Sequence, residues 1–212
     1  MNKPANILYV HGYLGSGNGH SSEMLRGEFK ARGIHANIEA PQFPVTEPEV
    51  MHKMLYTLIE NNHYDYVVAS SLGAFYVMQI PEIKKILINP AIPDNLRIIK
   101  ESDSDSNPML TSSFLDHIET EKEFFFSDKF NVSFMQETYL IYGTRDNIAP
   151  NEKLFKQYYD DESMISHVDM EHKLNRKGAA VVVELICKGN YQEEKDFLFR
   201  KETSSINWHT NW

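Results

Sequence analysis

Cysteine is nearly missing from this chain. Cys187 is the single one in 212 residues, so no disulfide can close within it, and a reducing, cytoplasmic setting is the expectation. Basic side chains are also in deficit: 21 Lys and Arg stand against 30 Asp and Glu, a formal net charge of −9. Gripping a phosphate backbone leans on Lys and Arg, so nucleic acid is not an expected partner. No run of about 18 apolar residues occurs, so no membrane span is expected. The opening stretch Met1–Asn6 has no apolar segment of the signal-peptide kind. The glycine-dense loop Gly15–Gly19 lacks the G-K-[ST] ending of a phosphate-binding P-loop. His167, Asp169, Glu171 and His172 crowd together but have no recognised metal-ligand spacing. The expectation is therefore no metal and no cofactor. No internal repeat or low-complexity linker divides the chain.

What is present is the composition of a globular protein, 42% hydrophobic and 24% charged, in a length that suits one domain over 1–212. Ile7–Val10 is an apolar run of strand length, followed by a Gly-rich loop and a helix to about Arg32, capped by Ser21 or Ser22 and ended by Gly33. His35–Glu39 reads as a second strand. Thr46-x-x-Glu49 has capping-box spacing and opens a helix over about 47–62, with Val50, Met54, Leu55, Leu58 and Ile59 at helical intervals. Further strands are expected at 65–69, 86–89, 138–142 and 163–168, with helices at 72–80, about 151–159 and about 176–188. This alternation predicts an α/β fold: a mainly parallel sheet of about six strands with helices on both faces. It fails over 93–137. There, Glu101–Glu123 holds seven acidic residues and one lysine, Lys122. That stretch reads either as a solvated insertion or as a cap over the sheet edge. The tail 190–212 has no clear periodicity.

The chain is organised around Val67–Phe75. A β-branched run stops at two serines, and a helix-compatible run follows Gly73. Ala69-x-Ser71-x-Gly73 is one residue away from G-x-S-x-G, the strand–turn–helix elbow that exposes a nucleophilic serine. An ordinary serine-capped turn would read the same in isolation. Asp146 and His172 also follow expected strands at their carboxyl ends, where ligands bind in open α/β sheets. Their order, Ser then Asp then His, is that of the α/β-hydrolases. In that chemistry His172 takes the Ser71 proton, and Asp146 orients the imidazole. The Leu72 backbone N–H, at a helix start, is one donor for the oxyanion. Asp146 as a helix cap, His172 as a plain loop histidine and His167 as a rival base are the competing assignments.

Five pieces in order carry a resemblance: Leu8-Tyr9-Val10-His11-Gly12, Ala69-Ser70-Ser71-Leu72-Gly73, Leu87-Ile88-Asn89-Pro90-Ala91, Gly143-Thr144-Arg145-Asp146 with Pro150, and Glu171-His172. Over residues 6 to 188 the chain resembles a compact α/β-hydrolase, more narrowly the small bacterial esterases of the YqiA type. It departs from the superfamily pattern at Ala69, where glycine is usual, and at Glu171, an acidic residue where glycine often precedes the histidine. The resemblance implies a second oxyanion donor at the Tyr13 N–H; His11, Gly12 and Leu14 are further candidates for substrate contact, with His11 expected to shape the oxyanion loop. It implies a serine esterase that cleaves a small ester through an acyl-enzyme on Ser71. The alternatives are a thioesterase or acyltransferase using the same three residues, or a non-catalytic protein of this fold that binds a ligand or partner.

Overall fold

The computed structural model describes residues 4–103, 105–127, 137–158 and 161–189. Its elements run β1 (Ala5–Val10), α1 (His20–Ala31), β2 (Ala36–Glu39), α2 (Pro48–Asn61), β3 (Tyr66–Ser70), α3 (Leu72–Met78), β4 (Lys85–Ile88), α4 (Pro93–Ser102) and α5 (Ser112–Phe125). Then come β5 (Thr138–Gly143), α6 (Glu152–Phe155), a 3₁₀ turn at Glu162–Met164, β6 (Ile165–Val168) and α7 over 176–189. The six strands form one sheet in the order β2-β1-β3-β4-β5-β6, and every pairing is parallel.

Parallel strands must be covered on both sides, and the side-chain period of two divides the apolar residues between the faces. Leu8, Val10, Val67, Ala69, Leu87 and Leu140 face one cluster, built with Met51 and Leu55 of α2, all of α3, and Leu96 of α4. Ile7, Tyr9, Val68, Ile86, Ile88 and Ile141 face the other, under Leu25 and Phe29 of α1 and Val182, Val183 and Ile186 of α7. Each fully buried side chain of this size contributes roughly 1.5–3 kcal/mol. The two clusters clamp the middle of the sheet and hold its strand ends in fixed register. The chain runs outward from β1 to β2, then returns to place β3 on the other side of β1. The sheet therefore changes direction between β1 and β3, and a crevice opens at the carboxyl ends there.

Local signals resolved differently in places. The capping box at Thr46 and Glu49 is not used: α2 starts at Pro48 with Glu47 as N-cap and no side-chain cap bond. Proline at the first helical position, with φ already set, supplies the start instead. Neither Ser21 nor Ser22 caps α1. Gly19 is the N-cap, and the Ser22 hydroxyl donates to the Gly17 and Gly19 carbonyls. The helix expected over 151–159 is only the single turn Glu152–Phe155, behind Asn151. Within 93–137 the described residues hold two helices that are more than a solvated insertion. Phe114, Leu115, Ile118 and Phe125 of α5 enter the core. Of its acidic side chains, Asp116 pairs with Arg97 and Glu119 with Lys122, while Glu121 turns inward to His52 and Gln79. The tail 190–212 lies outside the described residues, and α7 reaches Gly189.

Candidate active site

Ser71 stands between β3 and α3 with φ 53° and ψ −126°, a region side-chain-bearing residues rarely adopt. Such a residue costs of order 1–3 kcal/mol and persists only when its surroundings hold it. Here the Ser71 N–H donates to Ile88, and its carbonyl accepts from Ala74 and Ala91. The loop after β1 packs directly on the turn. A Cβ on Gly12 would lie 2.6 Å from the Ser71 Cβ, and one on Gly73 would run into the His11 carbonyl oxygen. Ala69, by contrast, sits in regular strand register with Val10 and Leu87, fully buried, with room for its methyl.

Three side chains from three strand ends meet. His172 Nε2 lies 2.8 Å from Ser71 Oγ, and His172 Nδ1 lies 3.0 Å from Asp146 Oδ2. The Asp146 side chain is 3% exposed, and that of His172 is 14% exposed. Burial pushes the Asp146 carboxyl up, but the His172 contact and the Ile148 and Ala149 N–H groups outweigh it and hold it below the usual carboxylate range. Asp146 thus closes a turn over 146–149 through one oxygen and meets His172 through the other; it does not cap α6. With Nδ1–H donated to Asp146, Nε2 is the free lone pair facing the serine hydroxyl.

The loop carrying Asp146 and the loop carrying His172 are tied together. The Thr144 and Arg145 N–H groups donate to Val168 and Met170, and the Arg145 guanidinium reaches Asp169 and Glu171. Asn89 joins them to β4. Fully buried at φ 44°, it donates from Nδ2 to the carbonyls of Glu171 and His172, 3.0 Å each, and accepts the Gly143 N–H at 2.7 Å. Asn151 bonds the Pro90 carbonyl and the Asn95 side chain, which anchors the far end of the Asp146 loop. None of these asparagines has a functional role in the motifs read from the sequence. Asn89 does carry a signal, because asparagine at a strand end before Pro90 tolerates a left-handed backbone.

The remaining candidates separate. The N–H groups of Leu72 and Tyr13 have no acceptor among the described residues, and both belong to the turns that enclose Ser71. His11 is buried, its Nδ1 bonded to the Gly12 carbonyl and its Nε2 accepting the Phe43 N–H. Burial pushes its pKa down, so it is a neutral brace for the loop. Leu14, at φ 56°, is 77% exposed at the rim. His167 points away from Ser71 and meets Glu152 at 2.8 Å. The four residues weighed as a metal cluster are split: Asp169 bonds Arg145 and Lys177, Glu171 bonds Arg145, and the two histidines go to Glu152 and Asp146.

A cavity of about 560 Å³ opens over Ser71 and His172, lined by the 11–16 loop, the start of α1, Leu96 and Ile99 of α4, and Ile148. A larger groove of about 990 Å³ at the β2 edge, between Arg26 and Tyr64, contains none of these groups.

An all-parallel sheet with a serine elbow after its third strand, and helices on both faces, is the α/β-hydrolase fold. The chain belongs to the family described as "Uncharacterised protein family (UPF0227)", whose model matches residues 6–180. No curated protein matches it. Among solved structures it is similar to the ydeN gene product from B. subtilis, at 19% identity and TM-score 0.59, covering 89% of this chain and 99% of that one. It is also similar to Est1E from Butyrivibrio proteoclasticus, at 14% identity and TM-score 0.60, covering 92% and 90%. A third is MGS-MChE2, an α/β hydrolase enzyme from the metagenome of lagoon sediments, at 17% identity and TM-score 0.59, covering 92% and 93%. At such identities the likeness is one of fold.

Proposed function

We propose that this chain is a serine hydrolase that cleaves carboxylic esters through an acyl-enzyme on Ser71. The observation that carries the reading is the hydrogen-bonded chain Ser71–His172–Asp146 at a strained turn. His172 Nε2 takes the hydroxyl proton as Ser71 Oγ bonds to the ester carbonyl carbon. The carbonyl oxygen becomes an oxyanion, placed to accept from the Leu72 and Tyr13 N–H groups. As the tetrahedral intermediate collapses, the C–O bond to the leaving group breaks, and His172 passes its proton to the departing oxygen. Water then repeats the sequence: His172 deprotonates it, it adds to the acyl carbon, and Ser71 leaves with the proton returned. Asp146 stays ionised throughout, fixing the Nδ1–H tautomer and stabilising the imidazolium. Its lowered pKa supports that part. The cavity over Ser71 supports a small-molecule substrate, and the uncommitted Leu72 and Tyr13 donors support a developing anion.

A fluorophosphonate probe tests the reading, since it phosphonylates only a serine that a neighbouring base activates. The expected result is labelling of the wild type, none of Ser71→Ala, and hydrolysis of p-nitrophenyl butyrate that falls about 10⁴-fold or more in Ser71→Ala and His172→Ala. A wild type that takes no label, or a Ser71→Ala protein that labels equally, overturns it.

A further inference from the structure

The cavity over Ser71 is chemically lopsided in a way the whole chain is not. The protein carries 30 acidic residues, yet the cavity lining contains no aspartate or glutamate. On one flank the wall is aliphatic: Ala91, Leu96 and Ile99, on the side of the sheet where Leu96 joins the core under α4. On the other flank it is polar. The Tyr9 hydroxyl bonds Ser70 Oγ at 2.9 Å and also meets Ser21, and all three line the cavity on the α1 side of the sheet. Lys173 lines the cavity too. The nearby cations are committed: Arg145 to Asp169 and Glu171, Lys177 to Asp169. Lys173 has no carboxylate partner among the described residues.

Lys173 is also the residue after His172. In the esterase reading, His172 Nε2 delivers its proton to the departing atom, so the leaving group must sit on the imidazole side of Ser71. The aliphatic flank is then left for the acyl chain.

We propose that the substrate is an ester with an apolar acyl chain and an anionic leaving group, whose charge is received by Lys173 at the polar flank. The inference rests on the esterase reading and names its substrate class. Bond changes are those given above: the acyl C–O bond breaks, Ser71 holds the acyl group, and the anionic alcohol leaves with the proton from His172. A cation with no carboxylate partner, in a wall with no carboxylate of its own, offers such a group attraction.

The test uses butyrate esters of three phenols matched in acidity, bearing a carboxamide, a carboxylate or a phosphonate. The readout is the ratio of kcat/KM for each anionic ester to that for the neutral one. The wild-type ratio is expected above one, and to shrink in 0.5 M salt. Lys173→Gln should lower it roughly 3- to 10-fold, Lys173→Glu further, and Lys173→Arg should restore it. A higher ratio for the phosphonate than for the carboxylate would assign the charge to a phosphate-type group, and the reverse to a carboxylate. A wild-type ratio at or below one, or a ratio unmoved by Lys173→Glu, overturns the subsite while leaving the esterase reading standing. So does an equal loss on all three esters, which is what a structural role for Lys173 would produce. If the wild type hydrolyses none of the three and takes no fluorophosphonate label, the esterase reading falls and this one with it.

Discussion

Asn89 shows how much of the site depends on a residue that touches none of its reacting atoms. Its amide satisfies two carbonyls of the His172 loop and one N–H at the end of β5, from a fully buried position. Asn89→Asp keeps the shape but faces a carboxylate oxygen toward the Glu171 and His172 carbonyls. Two hydrogen bonds become repulsion, and we expect a loss of about 1–3 kcal/mol in the urea unfolding midpoint analysis. We also expect a fall in kcat of at least about tenfold with a smaller change in KM, because the imidazole moves and the cavity does not. Ala69 is the contrasting case. The elbow pattern asks for glycine there, yet around the serine it is at Gly12 and Gly73 that an added Cβ would meet Ser71 or the His11 backbone. Ala69→Gly should therefore relieve nothing. It should cost about 0.5–1 kcal/mol in chain entropy and leave the proposed esterase activity within about twofold.

At the scale of the element, the strand–turn–helix unit stores strain at a single residue. A glycine at position 71 would accept φ 53° freely, whereas alanine keeps the steric cost. Relief of about 1–3 kcal/mol, less the entropy penalty of glycine, leaves Ser71→Gly more stable than Ser71→Ala by about 1 kcal/mol. Equal unfolding midpoints for the two would mean the turn is not strained. The acidic helix α5 makes the opposite point. Most of its charges are outside, with Glu121 turned in to His52 and Gln79, and its Ile118 is fully buried in the core with Phe114 and Leu115. Ile118→Ala should cost about 2–5 kcal/mol, which a solvated appendage would not.

For the whole molecule, the lowered Asp146 pKa links the site to acid stability. A carboxyl whose folded pKa lies below its unfolded value stabilises the fold above the ordinary carboxylate range, and that stabilisation is lost as the pH falls through the folded pKa. The stability gap between wild type and Asp146→Asn should be widest near pH 6–7 and close as the pH drops below about 4. A gap that widens in acid would reverse the assignment. The six strands were legible as apolar or β-branched runs, and their alternation with helices announced a parallel sheet. Helix starts were less legible, because several residues near each start satisfy the same donors: Gly19 displaced Ser21 and Ser22, and Pro48 displaced the Thr46–Glu49 pair. The inward face of α5 was hidden behind its charge.

The order of the elements, and with it the spacing of Ser71, Asp146 and His172 along the chain, is a property of the sequence alone, since periodicity and turn residues act locally. That these three side chains stand in a line with neighbours no more than 3.0 Å apart, with Asn89 joining their loops, is a property of the tertiary structure. So is the sorting of the cavity into an aliphatic flank and a polar one. Distances across about a hundred residues are set by strand register and by packing on both faces of the sheet, and neither is written in any local stretch of the chain.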